Sequence, residues 1–377
     1  MNLTGKGFFL WNSAECEDGD PERIAALVES AGLSHLIIKV ADGDRINNDG
    51  QKSNQNQILT IINTIKARNI SAWGCQISYG SNPEEEAKIA INCIKEFDLD
   101  GFVVDAGAEY KHKGGAVKAS VYMARLRQAL PTLPIALSSF KFPTQHQSFP
   151  WHAFLDECDL VMPKVFWLKT HGNAGKSLYR SVQEFQKINP NLSVCPTGPI
   201  FKTWGWIPYY DEIVDFLRTA ELLGLQAINF FSLDSACHPI MKSLRELVFQ
   251  SPWPSSKTQK GIVEQYMQTI NLRKIPDLLS TYQENGSIIL PSGTIKGKRK
   301  ISNWYQKLFE KVSQNLFILE RSIEDEGIYT FYWKTFDEIS HTSLTAKNVV
   351  RLDKGKIISH YIEFFEGNIV FDQSNLF

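Results

Sequence analysis

Gly101-Phe-Val-Val-Asp105-Ala-Gly107-Ala-Glu109-Tyr110-Lys111 is the stretch on which the reading of this chain turns. A short apolar run breaks off into an acid, a glycine and a second acid. A buried parallel strand has this form where it leaves the core for a functional loop. In a (β/α)8 barrel, catalytic side chains sit at the carboxyl ends of strands, so Asp105 and Glu109 are the first candidates. Residues two apart on a strand share a face, roughly 7 Å from one another. Gly107 holds the place where a second carboxylate would complete an acid/base pair.

Outward from this stretch, apolar runs alternate with amphipathic helical patterns from Gly5 to about Phe249. The runs are GFFLWN (7–12), HLIIKVA (35–41), SAWGCQIS (71–78), GFVVDAG (101–107), PIALSSF (134–140), LVMPKVFW (160–167), SVCPTGPI (193–200) and AINFFSLD (227–234). Asp20-Pro21 and Asn82-Pro83 are cap-plus-first-turn signals that start two of the helices. Gly32 and Gly224 end helices just before the next strand. Eight strands with intervening helices predict an α/β (β/α)8 TIM barrel over residues 1–250. An open doubly wound sheet is the competing arrangement of the same elements.

The pattern changes at Ser251-Pro-Trp-Pro-Ser-Ser256, a linker over 251–257. In residues 258–377 helical patterns come first (KGIVEQYMQTINLRK, IPDLLSTYQ, GKRKISNWYQKLFEKV). Long aromatic strands follow, with a hairpin turn at Leu352–Lys356. This order predicts an α+β cone, helices packed on a curved antiparallel sheet around an apolar pocket. Tyr266, Trp304 and Tyr332 are its candidate lining. His360 and Glu363 lie an odd spacing apart on the last strand, so only one of them faces the cavity; Glu363 is the candidate pocket acid.

Composition narrows the function. The 377 residues carry a net charge of -1, which gives no footprint for nucleic acid or an anionic membrane. The first twenty residues lack the basic flank and apolar core of a signal peptide, and no run is long enough to span a bilayer, so a cytoplasmic protein is expected. The six cysteines are scattered without a C-x-x-C pair and read as reduced thiols. The histidines form no H-x-x-x-H pair, and no G-x-S-x-G elbow occurs. Neither a metal nor a cofactor is expected.

The first part resembles glycoside-hydrolase-like TIM barrels, including lysozyme-like and uncharacterised glycosidase groups, over most of residues 5–250. The resemblance rests on GKGFFLWN, GFVVDAGAEYK, LVMPKVFW and NFFSLD. It implies an acid-x-acid arrangement on strand 4, where Asp105 and Gly107 stand. It also implies Met-Pro-Gln-x-Tyr-Trp on strand 6, where Met162-Pro-Lys164-Val-Phe166-Trp167 stands. The second part is similar to NTF2-like domains of the SnoaL and ketosteroid-isomerase type. The residues that carry this are Tyr266, Gly297-x(4)-Ile301-x-x-Trp304 and Gly355–Phe365. Small apolar ligands, proton transfer and homodimerisation are what that similarity implies.

The expected function is therefore a glycoside hydrolase-like protein holding a carbohydrate at the barrel mouth. Asp105 would act with Glu109 or Asp234 in acid/base chemistry. An extended chain would leave Glu109 roughly 13 Å from Asp105, whereas glycosidase carboxylates stand about 5 to 9.5 Å apart, so this reading requires the loop at Gly107 to curl. Lys39 and Lys164 interrupt buried strands and need carboxylate partners or an open cavity. Trp11, Trp73, Tyr79, Tyr110, Trp167 and Trp204 are aromatic candidates for stacking on sugar rings. The alternative is a barrel that has lost its acid pair and serves as a binding or scaffold protein, with the second domain dimerising or holding a small apolar ligand.

Overall fold

The chain divides into two units, Met1–Glu221 with Leu225–Thr258 and Leu222–Gly224 with Gln259–Phe377. The computed structural model describes residues 3–46, 53–253, 261–312, 315–337 and 342–365. Residues 254–257 of the expected linker, and the expected boundary at 258, lie outside them.

In the first unit the apolar runs become eight parallel strands. These are β1 (Gly5–Leu10), β2 (His35–Asp42), β3 (Ser71–Ser78), β4 (Gly101–Ala106), β5 (Ile135–Phe140), β6 (Leu160–Lys164), β7 (Thr197–Pro199) and β8 (Ala227–Phe231). β1 pairs with both β2 and β8, which closes the ring and excludes the open sheet. The sheet is buried on both faces, which is why its strands read as unbroken apolar runs rather than as alternations. Phe9, Ile37, Cys75, Val103, Met162 and Ala227 are among the side chains that fill the interior. The barrel is a packed core, and only the strand ends are open to chemistry.

Helices α1 (Pro21–Ser30), α2 (Ser53–Lys66), α3 (Pro83–Glu96), α4 (Gly115–Ala129), α5 (Trp151–Leu155), α6 (Ala174–Ile188) and α7 (Tyr210–Leu222) alternate with the strands. α8 (Leu233–Cys237) and α9 (Lys242–Gln250) follow β8. At α1 the Asp20 carboxylate accepts the Arg23 amide at 2.9 Å, as the cap signal predicts. At α3 the cap differs from expectation, because Asn82 makes no side-chain cap bond. The buried Glu86 carboxylate instead gathers the loop ahead of the helix, accepting the amides of Tyr79 (3.0 Å), Gly80 (3.1 Å), Ser81 (2.9 Å) and Asn82 (3.3 Å). A charged acceptor holds such amides more strongly than a neutral one.

The second unit has helices α10 (Ile262–Asn271), α11 (Ile275–Ser280) and α12 (Lys298–Lys311). Its strands are β9 (Tyr282–Leu290), β10 (Gly293–Lys296), β11 (Leu316–Asp325), β12 (Ile328–Asp337), β13 (Thr342–Asp353) and β14 (Lys356–Phe365), in the order β10-β9-β14-β13-β12-β11. The expectation of an antiparallel sheet needs correcting: β14 pairs with β9 in parallel, so the sheet is mixed. After its hairpin with β13, the last strand comes back beside β9 running in the same direction. That is a long-range pairing no local pattern announces.

Candidate functional site at the barrel mouth

Strand parity builds the site. Ile37, Val103 and Met162 point into the barrel, and two residues further along each strand stand Lys39, Asp105 and Lys164, on the same face and nearer the carboxyl ends. Asp105 is 8 % exposed. Lys164 Nζ donates to Asp105 Oδ1 at 2.5 Å, crossing β5 to reach it. Lys39 Nζ donates to Asp42 Oδ2 at 2.7 Å, and the Tyr79 hydroxyl donates to Asp42 Oδ1 at 2.8 Å. Burial works against the Asp42 charge, but Lys39 and Tyr79 hold its carboxyl below the usual range. Burial and the bond to Asp42, with the charges of Glu109 and Asp105 nearby, push the Tyr79 phenol up to about 12. Tyr79 therefore stays a proton donor at any working pH.

The loop after β4 curls. Ala108–Lys111 form one turn of 3-10 helix. Glu109 Oε2 lies 3.0 Å from the point where a Cβ on Gly107 would stand. The Glu109 carboxylate thus folds back against Gly107 at the end of β4. Glu109 is exposed and has no hydrogen bond or ion pair among the described residues. At the floor, the Ser138 and Thr197 hydroxyls are buried without a hydrogen-bond partner among the described residues. Ser138 stands beside Asp105 on β5, and Thr197 stands beside Lys164 on β7.

The other side of the mouth is aromatic. The Trp11 and Phe231 ring centroids are 5.1 Å apart, Phe166 and Phe201 5.2 Å, and Phe201 and Phe231 6.0 Å. All four rings are half-buried. Lys39 Nζ stands 5.0 Å from the Trp11 ring and joins the two sides. On this side a cleft of about 730 Å³ is lined by Glu15, Lys202, Trp204, Asp234, Cys237 and His238, among others. Trp204 is 85 % exposed at its rim, with Lys169 Nζ 5.2 Å over its ring.

Several sequence candidates are placed elsewhere. Trp73 lies near the start of β3 and packs in the barrel interior, far down the strand from the mouth. Tyr110 is buried against Phe149 and Phe154, with its hydroxyl 2.5 Å from Ser78 Oγ. Trp167 is buried against Phe216. All three are packing residues, because the barrel interior and the apolar shell behind the strands offer an aromatic ring as much burial as the mouth does. Asp234 Oδ1 accepts the Trp11 amide at 2.9 Å, so this carboxylate braces the end of β1; burial raises its pKa.

In the second unit, Tyr266 and Trp304 are buried as expected of inner residues, while Tyr332 and Glu363 are not. Phe331 and Trp333 take the inner face of β12, which turns Tyr332 outward under Arg321, 4.0 Å from its ring. His360 takes the inner face of β14 and leaves Glu363 on the other. The interior holds a chain of polar contacts: Tyr266 to Tyr305 (3.0 Å), Tyr305 to Tyr282 (2.8 Å), Tyr282 to His360 Nδ1 (2.6 Å), and His360 Nε2 to Asn348 Oδ1 (2.9 Å).

Two parts of the barrel site were hidden in the sequence. Glu86 sits in Pro-Glu-Glu-Glu-Ala, which has the form of a solvated first helical turn. Gln76, whose Nε2 donates to the carbonyls of Gly43 (2.7 Å) and Glu86 (3.0 Å), is one polar residue in an apolar run. Together they fix the loops that carry Asp42 and Tyr79. Phe166 and Phe231 were visible as strand-end aromatics in LVMPKVFW and AINFFSLD. Among the described residues no group of three or more His, Cys, Asp or Glu is placed to hold a metal ion, and no helix is long and apolar enough to cross a membrane.

Neither a family model nor a curated protein matches this chain. Among solved structures, a chitinase from Chromobacterium violaceum is similar over 66% of this chain and 100% of its own, with a TM-score of 0.51 and 10% identity. At that identity the likeness is one of fold, a chitinase-like eight-stranded parallel barrel. Two further structures match smaller parts. An NTF2-like protein of unknown function from Cytophaga hutchinsonii covers 29% of this chain and 94% of its own (TM-score 0.24, 18% identity). A SnoaL-like protein of unknown function from Burkholderia thailandensis covers 28% and 92% (TM-score 0.25, 11% identity).

Proposed function

We propose that the barrel is a glycoside hydrolase-like unit that binds a carbohydrate at its carboxyl-end mouth, with Asp105 and Glu109 as its working carboxylates. The observation that carries this reading is the two-sided mouth. Half-buried rings of Trp11, Phe231, Phe166 and Phe201 form one side, and Lys39, Asp42, Tyr79, Asp105, Glu109 and Lys164 form the other. A sugar ring has an apolar face and a hydroxylated edge, and this mouth offers both a stacking surface and a set of charged hydrogen-bonding groups. Asp105, fixed by Lys164, orients the ring and opposes positive charge at the reacting carbon. Glu109, unpaired and exposed, exchanges the proton with the glycosidic oxygen. Ser138 and Thr197 have hydroxyls left to offer a ligand.

The test is turnover and binding on a panel of aryl glycosides and short oligosaccharides, with N-acetylglucosamine oligomers included because of the chitinase fold. Hydrolysis of at least one member supports the reading. Absence of both hydrolysis and binding overturns it. Binding without hydrolysis selects the second reading, a carbohydrate-binding barrel. The 2.5 Å ion pair that engages Asp105 favours that alternative, since such a pair neutralises the carboxylate's charge without any chemistry. For the second unit we propose self-association. Light scattering on the full chain should give twice the 42.8 kDa chain mass, and a monomer at micromolar concentration would remove the idea.

A further inference from the structure

We propose that Cys16 and Cys237 are a redox modification site, a thiol pair on the wall of the barrel-mouth cleft that closes to a reversible disulfide on contact with a hydroperoxide. The two residues are 221 positions apart, so no spacing in the sequence pairs them. In the fold Cys16 falls between two 3-10 turns after β1, Ser13–Glu15 and Glu17–Gly19, and Cys237 is the last residue of α8. Their Sγ atoms stand 3.0 Å apart. A disulfide needs about 2.05 Å, so closure takes a movement of roughly 1 Å with both loops already in place.

The two thiols are unequal, and the inequality gives the order of events. Cys16 is fully buried, whereas Cys237 is half-buried and lines the cleft. The hydrogen bond between the two sulfurs lowers the Cys237 pKa against the opposing effect of burial, with further help from the Arg245 guanidinium. The same hydrogen bond, then burial and the charge of the neighbouring sulfur, raise that of Cys16. Cys237 is thus the thiolate that meets a reagent entering from the cleft. Its sulfur attacks the peroxide O–O bond, giving a sulfenic acid on Cys237 and one molecule of water once the departing hydroxide takes up a proton. The Cys16 sulfur then attacks the sulfenic sulfur, forming the S–S bond and releasing a second water with the Cys16 proton. Overall, two thiols and one hydrogen peroxide give one disulfide and two waters. A thiol such as dithiothreitol reverses it by exchange. Cys75, Cys93 and Cys195 are buried away from reagents, and burial raises their pKa values. Cys158 is half-buried and is likewise pushed up. The bond would tie the loop after β1 to α8, one helical turn beyond Asp234.

The test treats the full-length protein with one equivalent of hydrogen peroxide, counts free thiols after denaturation, and maps unreduced peptides by mass spectrometry. The expected result is a fall from six thiols to four, with a single linked pair containing Cys16 and Cys237, restored to six by dithiothreitol. In Cys16→Ser, oxidation should stop at a Cys237 sulfenic acid that a 1,3-dione reagent traps. In Cys237→Ser, Cys16 should stay reduced at the same dose. If either variant fails to fold, the wild-type peptide map decides alone. The proposal is overturned if wild-type Cys237 goes to sulfinic acid while Cys16 remains free, or if Cys158 is consumed before either.

Discussion

Glu109→Gln and Asp105→Asn are each expected to lower kcat on an active glycoside by at least about 10²-fold, within the range that general acid–base groups supply. KM should change far less, because the stacking rings and Lys39 remain. The losses should differ in kind. Glu109 is the proposed proton donor, so Glu109→Gln should recover most of its rate on substrates whose leaving group needs no protonation. Asp105→Asn should be slow on every substrate, since it also leaves the Lys164 ammonium in a mouth short of one carboxylate. Asp234→Ala is the contrast. It frees the Trp11 amide and should cost about 1–3 kcal/mol of stability, with kcat within about 10-fold of wild type. Steady-state kinetics on activated and unactivated glycosides, with thermal melts of each variant, separate these outcomes. Wild-type kcat in both Glu109→Gln and Asp105→Asn would remove the pair from the chemistry. Collapse of kcat in Asp234→Ala with its melting point intact would move the acid to α8.

The asymmetry between what the sequence revealed and what it concealed has a physical basis. Each barrel strand announced itself because a strand covered on both faces must be apolar throughout, and a polar residue that breaks such a run has a reason to be there. Lys39, Asp105 and Lys164 stood out on that account. The reach of Lys164 across β5 to Asp105, and the curl that brings Glu109 back to Gly107, depend on register and on loop conformation, which no single segment encodes. Aromatic candidates misled for a related reason. Trp73, Tyr110 and Trp167 share composition with Trp11, but burial is equally favourable inside the barrel, behind the strands and at their mouths, so residue type alone does not choose between them. The parallel pairing of β9 with β14 and the approach of Cys16 to Cys237 are long-range consequences of topology. Each joins segments with no local signal for one another.

Both units are expected to lose stability between about pH 6.5 and pH 4, through one buried histidine each. His35 is fully buried inside the barrel, its Nε2 2.5 Å from Asn229 Oδ1, and burial lowers its pKa to about 4 against the small help of that bond. His360 is fully buried in the second unit between Tyr282 and Asn348, and burial lowers its pKa to about 3. In the unfolded chain each titrates near its ordinary 6.5. Between that value and the folded one, the unfolded state binds a proton that the folded state refuses. Stability therefore rises with pH across this window, is fully present above about 6.5, and is lost on acidification. At one pKa unit per 1.36 kcal/mol, each unit should be about 2 kcal/mol less stable at pH 5 than at pH 7.5. That is a large part of the 5–15 kcal/mol typical of a domain. Asp42, Glu184 and Glu212, held below their ordinary carboxylate values, add losses of the same sign only at lower pH. Asp234, held above its ordinary value, works in the opposite direction in that lower range. Urea unfolding at pH 7.5, 6.5, 5.5 and 5.0 measures the slope. His35→Gln should flatten the transition of the barrel and His360→Gln that of the second unit, each without touching the other. A slope that survives both substitutions would place the acid sensitivity in the carboxylates, and a flat wild-type profile from pH 7.5 to 5 would show that neither imidazole is buried as firmly as this packing requires.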